Sequence, residues 1–204
     1  MKLKAIILDA GHGGMIGGEY QTAGKRSPIW SDGSQYFEGV GNRMIQKKIA
    51  KMLVGTDVSV YYSSDSEKDV SLAERIKEIN KIATRVGRKD CLLISIHSNG
   101  FSKESAHGWS CYTTKGKTAS DQYATELYNQ AKKIFPDERM RTEKLDGDPD
   151  IESNFYVLRK SICAAILSEN FFHTNERECK EFLLSETGRE KIALAHVEMI
   201  KHFL

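Results

Sequence analysis

No apolar run in this 204-residue chain approaches the roughly 20 residues that cross a bilayer, so no membrane-spanning helix is expected. Three prolines leave little room for a disordered linker, and neither an internal repeat nor a low-complexity tract is present. The formal charge of +2 is small and the lysines are dispersed, which excludes the concentrated basic face of a nucleic-acid binder. Four widely spaced cysteines (Cys91, Cys111, Cys163, Cys179) include no C-x-x-C pair and read as buried free thiols from a reducing compartment. The apolar stretch behind Met1-Lys2-Leu3-Lys4 stops at Asp9. That is too short for a secretory core, so no signal peptide is expected and synthesis is assigned to the cytoplasm. The length suits one domain, 1–204, with a sizeable core.

What the chain does contain is an alternation. Strand-like runs fall at 3–8, 58–62, 91–96, 109–113 and 164–167, and amphipathic helical patterns at 41–53, 72–86, 118–135 and 188–203. One further short helix is expected around Ser161. Phe135-Pro136 supplies a natural helix stop. Strands alternating with helices predict an α/β fold, a central mostly parallel sheet flanked by helices. The segments 13–37 and 137–154 read as long loops, and long loops in a compact domain border functional sites.

Two histidines each close an apolar strand-like run: His12 after Ala5–Ala10, and His97 after 91–96. Open α/β folds keep their ligand sites at such strand ends. Imidazole nitrogens suit zinc, which in catalytic sites takes three protein ligands and keeps a fourth position for water. A third ligand would come from another element facing the same rim, and Glu38 is the best placed. On position alone it reads first as a capping or first-turn acid favoured by the helix dipole. Metal-assisted hydrolysis also needs a general base, and Glu169 ends a third apolar run, where an acid is costly unless paired or functional. Asp9 reads either as an acid that orients a ligand histidine or as a structural acid.

The ordered set is more specific than any of its parts. Gly11-His12-Gly13-Gly14 follows a strand, and Glu38 precedes a helix. Ser71-Leu72-Ala73-Glu74-Arg75, Ser95-Ile96-His97-Ser98-Asn99 and Gly108-Trp109-Ser110-Cys111-Tyr112 come next. Glu169 closes the series, followed by Asn170-Phe171-Phe172-His173-Thr174-Asn175. Together they resemble the zinc-dependent N-acetylmuramoyl-L-alanine amidases, the amidase-3 family, from about Lys4 to the last helix. The resemblance implies one zinc ion held by His12, Glu38 and His97, with Glu169 as the catalytic acid/base. It implies peptidoglycan as the substrate partner, cleaved at the amide between N-acetylmuramic acid and the L-alanine of the stem peptide. It also implies an enzyme acting on the cell wall as a monomer, laid out like a phage-type endolysin or an excised secreted domain. Four features depart from the family pattern: Ala10 replaces a proline, Phe171 a glycine and His173 an aliphatic residue, and the 13–37 loop is long.

Other readings remain. A zinc peptidase or deacetylase would use the same ligands and base, and a non-catalytic wall-binding domain would need neither. Gly24-Lys25 fails as a phosphate loop because Arg26 stands where Ser or Thr is required. The acidic run Asp146–Asp150 lacks the glycine and the closing glutamate of an EF-hand, Val157 occupying the latter position, and reads as an ordinary loop. His107 and His173 are expected at or near the surface, and His196 and His202 as structural residues.

Overall fold

The computed structural model describes residues 2–143 and 147–204. Its strands are β1 (Ala5–Ala10), β2 (Met15–Ile16), β3 (Glu19–Tyr20), β4 (Ser59–Tyr62), β5 (Cys91–Asn99), β6 (Ser110–Thr113), β7 (Ile151–Glu152) and β8 (Ala164–Phe172). Its helices are α1 (Glu38–Met52), α2 (Leu72–Val86), α3 (Asp121–Ile134), α4 (Tyr156–Lys160), α5 (Glu176–Glu178) and α6 (Glu186–His202). Six strands form one sheet in the order β4-β1-β5-β8-β6-β7, while β2 and β3 make a separate two-stranded ribbon. The four strands β4, β1, β5 and β8 are mutually parallel, and β6 runs antiparallel to β8. The expected α/β architecture is therefore present.

Strands covered on both faces read as continuous apolar runs, and β1 is buried at every position. Its alternate residues serve two cores. Ile6 and Leu8 face the layer containing Ile45 and Ile49 of α1, Leu127 of α3 and Val197 of α6. Ala5 and Ile7 face Ile76 and Ile79 of α2 and Leu158 of α4. Helices thus cover both sides of the sheet. No helix among the described residues is long and apolar enough to cross a membrane. All four cysteines are free, and Cys91, Cys111 and Cys179 are buried.

The boundaries differ from expectation where the chain turns polar. β5 and β8 run three and five residues past the predicted ends, to Asn99 and Phe172. Their far ends carry Ser, His, Asn and Glu in place of apolar residues, so the hydrophobic signal fades while the backbone pairing continues. α1 starts at Glu38 instead of Gly41, and Phe37 supplies no side-chain cap to mark that boundary in the sequence. The short helix expected around Ser161 ends one residue before it. The loop 137–154 contributes β7 and pairs with β6. Asp146 of the acidic run lies outside the described residues.

Candidate metal centre and active site

His12, Glu38 and His97 come together at the carboxyl ends of β1 and β5, each offering a ligand atom within 4.8 Å of the others. His12 Nε2 stands 3.3 Å from Glu38 Oε1, and His97 Nδ1 stands 3.1 Å from the same oxygen. The two rings meet edge to face, 5.1 Å apart. Gly11 makes this approach possible, because a Cβ there would lie 2.1 Å from His97 Cε1. Burial alone would raise the Glu38 carboxyl, but the two imidazole hydrogen bonds outweigh it and hold the group well below the usual carboxylate range. Burial opposes a charge on His97, yet Glu38 draws its pKa upward. Two nitrogens and one oxygen on a buried carboxylate form a donor set that fits zinc and leaves a coordination position open.

Each member is held by the fold. His12 takes the left-handed conformation, φ 68°, a region in which histidine is among the better-tolerated non-glycine residues. Arg43 Nη1 and Arg75 Nη2 both donate to its carbonyl, at 2.9 and 2.8 Å. Glu38 is placed by the long loop acting as the cap that α1 lacks. Its backbone N–H donates to Lys25 O, and the N–H of Gly39 donates to the Tyr20 hydroxyl. Two of the orphan donors of a helix start are satisfied in this way.

Glu169 lies directly across the sheet from His97 in the parallel β5–β8 pairing. Its Oε2 is buried and has no hydrogen-bond partner. Burial, reinforced by the nearby Glu38 carboxylate, pushes the group up to about 7, against the opposing pull of His97 and Lys25. Glu38, His97, Glu169, Lys25 and His173 line one cavity of about 410 Å³. A second cavity of about 370 Å³ opens on the other side of His97, between Asp9, His12 and the start of α2. A larger cavity, about 670 Å³, lies at the opposite ends of the strands and is lined by none of these residues.

Just beyond Glu169 the β5–β8 register slips, with Asn99 opposite Phe172. This bulge puts Phe171 in the left-handed region, φ 65°, where a glycine is the usual occupant. The Phe171 ring stacks on Phe182 at 4.2 Å and meets Phe135 edge-on at 5.0 Å, and this packing holds the strained residue. The bulge also turns His173 inward. Contrary to expectation it is 4% exposed, with Nδ1 against Ser98 O and its ring stacked on Tyr36. His196 is buried between the Ser168 hydroxyl and Ile192 O, as expected of a structural residue.

Asp9 makes no hydrogen bond to an imidazole among the described residues, although it lines a cavity with His12 and His97. It accepts from Arg75, Ser63 and Ser95, and Arg75 in turn holds the His12 carbonyl. Arg43 and Arg75 were missed as supports. A buried strand-end aspartate calls for a partner, but nothing in the sequence identifies Arg75 as that partner. The 13–37 loop does border the cavity, through Gly24, Lys25 and Arg26. The described part of 137–154 lines neither cavity at the cluster. Arg139 and Arg141 bracket Trp109 instead, through Trp109 N–H to Arg139 O and Arg141 N–H to Trp109 O.

Residues 6–202 match the amidase-3 family, described as N-acetylmuramoyl-L-alanine amidase. The chain belongs to that family. A cell wall amidase of Bacillus anthracis, itself uncharacterised, is 29% identical over 194 residues, covering 94% of this chain and 34% of the relative. The chain therefore spans about a third of the length of that curated relative. An N-acetylmuramoyl-L-alanine amidase of Clostridium difficile shares the fold at a TM-score of 0.77 and 24% identity, covering 100% of this chain and 97% of that one. The CwlD amidase of Clostridioides difficile, solved in complex with the GerS lipoprotein, gives 0.73 at 25% identity and 98% of both chains. The catalytic domain of the CD27L endolysin, which targets that bacterium, gives 0.63 at 20% identity, covering 98% of this chain and 97% of that one.

Proposed function

We infer that the protein is a zinc-dependent peptidoglycan amidase that cleaves the bond between N-acetylmuramic acid and the L-alanine of the stem peptide. The observation that carries this reading is the unpartnered Glu169 carboxyl, facing the same cavity as His97 and Glu38. His12, Glu38 and His97 would hold the metal. Zinc at that position supplies Lewis acidity and a lowered pKa for the attacking water. Glu169 takes the proton of that water as it attacks the carbonyl and gives it to the departing alanine nitrogen. A carboxyl poised near neutrality can do both. Arg75 and Arg43 fix the backbone of His12, and Asn170 fixes that of His97 by donating to its carbonyl at 3.0 Å. Residues 1–204 act as the catalytic domain, at the cell wall.

The test is a digest of purified peptidoglycan with and without a zinc chelator, followed by mass analysis. Stem peptides beginning at L-alanine are expected, with no new reducing sugar ends and with release abolished by the chelator. Intact muramyl–peptide linkages despite full zinc loading would reject the reading and favour a peptidase or deacetylase acting on another amide.

A further inference from the structure

The cavity that holds Glu38, His97 and Glu169 is bordered by two cations of the long 13–37 loop, Lys25 and Arg26. Both side chains are exposed, and among the described residues neither hydrogen-bonds or ion-pairs with an acid. Their backbone, by contrast, is pinned. Lys25 O accepts from the Glu38 N–H and from the Tyr20 hydroxyl, each at 2.9 Å, and Arg26 forms an antiparallel bridge with Phe37. The backbone that carries the two cations is thus the one that sets the start of α1 and the position of Glu38. The Lys25 charge is felt at both Glu169 and His173. It does not serve as the partner of Glu169, whose Oε2 stays without one. The other lining segments, 98–102 and 173–174, contribute no Lys, Arg, Asp or Glu. Fixed positive charge is therefore confined to one wall.

An exposed cation is ordinarily just a solvated one. Two that adjoin a cleft without partners are different, because low-dielectric walls focus their field on whatever enters. Resting on the amidase reading above, we propose that Lys25 and Arg26 bind a carboxylate of the stem peptide, the α-carboxylate of the D-glutamate that follows L-alanine. That glutamate is joined onward through its side-chain carboxyl, so its α-carboxyl is either free and negative or amidated and neutral. It stands roughly 7 Å along the chain from the scissile carbonyl, about two residue steps. A guanidinium fork takes a carboxylate bidentately, and an ammonium on a four-carbon stem meets it as a mobile point charge. The pair makes the enzyme a reader of that one substituent, since a carboxamide forfeits the charge-assisted bonds. The one-sided charge also sets an orientation. The peptide leaves the cavity along the 13–37 loop and the glycan along the uncharged wall, where Phe101 is 56% exposed.

The experiment gives the zinc-loaded protein two soluble substrates, a muramyl disaccharide carrying L-Ala–D-isoglutamate and the same disaccharide carrying L-Ala–D-isoglutamine. kcat/KM should favour the acid by about 10-fold or more, chiefly through KM, because hydrogen bonds to a charged group are the stronger ones. Lys25→Gln combined with Arg26→Gln should bring that ratio close to one, whereas Lys25→Arg should keep most of it. Added salt should narrow the preference, since the charges are exposed. Equal turnover of the two substrates by the wild type would overturn the proposal. So would a double variant that slows both alike and leaves the ratio intact, which is the result of a purely structural role for the loop. Failure on both disaccharides by protein that still digests peptidoglycan would overturn it too, because both groups of the clamp act within that unit. Failure on the disaccharides and on peptidoglycan, despite full zinc loading, would reject the amidase reading itself and the proposal with it.

Discussion

Two buried acids end parallel strands of the same sheet, and their surroundings differ in every respect that matters to chemistry. Asp9 on β1 is 1% exposed and satisfied on both oxygens, Oδ1 by Ser63 and Arg75 and Oδ2 by Ser95. Burial would raise it, but Arg75 and the two hydroxyls hold it below the usual carboxylate range. Glu169 on β8 has a buried oxygen with no partner and is pushed up to about 7. A carboxylate with a donor on each oxygen and a guanidinium beside it is held ionised and serves as scaffold. A desolvated, unsaturated one is held close to its protonation midpoint at a cost in stability, which is the condition a proton carrier needs.

The largest expected effect follows from removing the unsaturated acid. Glu169→Gln keeps the shape and loses the proton-carrying group, so peptidoglycan turnover should fall by about 10²–10⁴. Metal analysis should find zinc retained, because Glu169 is not among the three converging ligand residues. The melting temperature should not drop, since a neutral amide replaces an acid that burial already disfavours. A variant that keeps wild-type turnover, or that loses its zinc, would remove Glu169 from the role of base.

Removing the saturated acid should do the reverse. Asp9→Asn leaves the Arg75 guanidinium, 3% exposed, without its counter-charge. Breaking a buried pair from one side costs about 3–5 kcal/mol, to be read from the denaturant midpoint. Because Arg75 also holds the His12 carbonyl, zinc affinity should weaken too. A stability loss below about 1 kcal/mol would show that the remaining acceptors of Arg75, the carbonyls of Val70, Ala10 and His12, suffice alone.

The contrast between these acids was only half legible in the sequence. Both stood out as acids at the ends of apolar runs, since period and composition report which strands are buried. The meeting of His12 and His97 was legible because strand ends converge in an open α/β sheet, whereas Glu38, on a helix, was joined to them by the family resemblance. What could not be read was which acid had partners. Arg75 meets Asp9 across 66 positions, and Ser63 meets it across 54, distances over which a linear pattern carries no signal. The burial of His173 was missed for a related reason. It depends on a bulge at Phe171, a residue whose left-handed backbone is held by the Phe135 and Phe182 rings and not by local propensity. The start of α1 was missed because its cap is a distant loop carbonyl, Lys25 O, instead of a neighbouring Ser or Asp.

The smallest expected effect is the sharpest, because the two acids should tilt stability in opposite directions with pH. The folded pKa of Asp9 is lowered, so its contribution is fully present above the unfolded value near 3.8 and is lost as pH falls through the folded one. The gap between wild type and Asp9→Asn should therefore be constant at neutral pH and close only in strong acid. The folded pKa of Glu169 in metal-stripped protein is raised from 4.5 to about 7. Its contribution is present below 4.5 and is lost as pH rises through about 7, by at most about 3 kcal/mol. Glu169→Gln, compared with wild type in denaturant at a series of pH values, should thus gain relative stability between those limits. The difference reads Glu169 together with the shift it imposes on its neighbours His97 and Glu38, with which it titrates as one coupled group. A difference that stays flat from pH 4 to 8 would mean that Glu169 is solvated or paired in solution, and the distinction between the two acids would collapse.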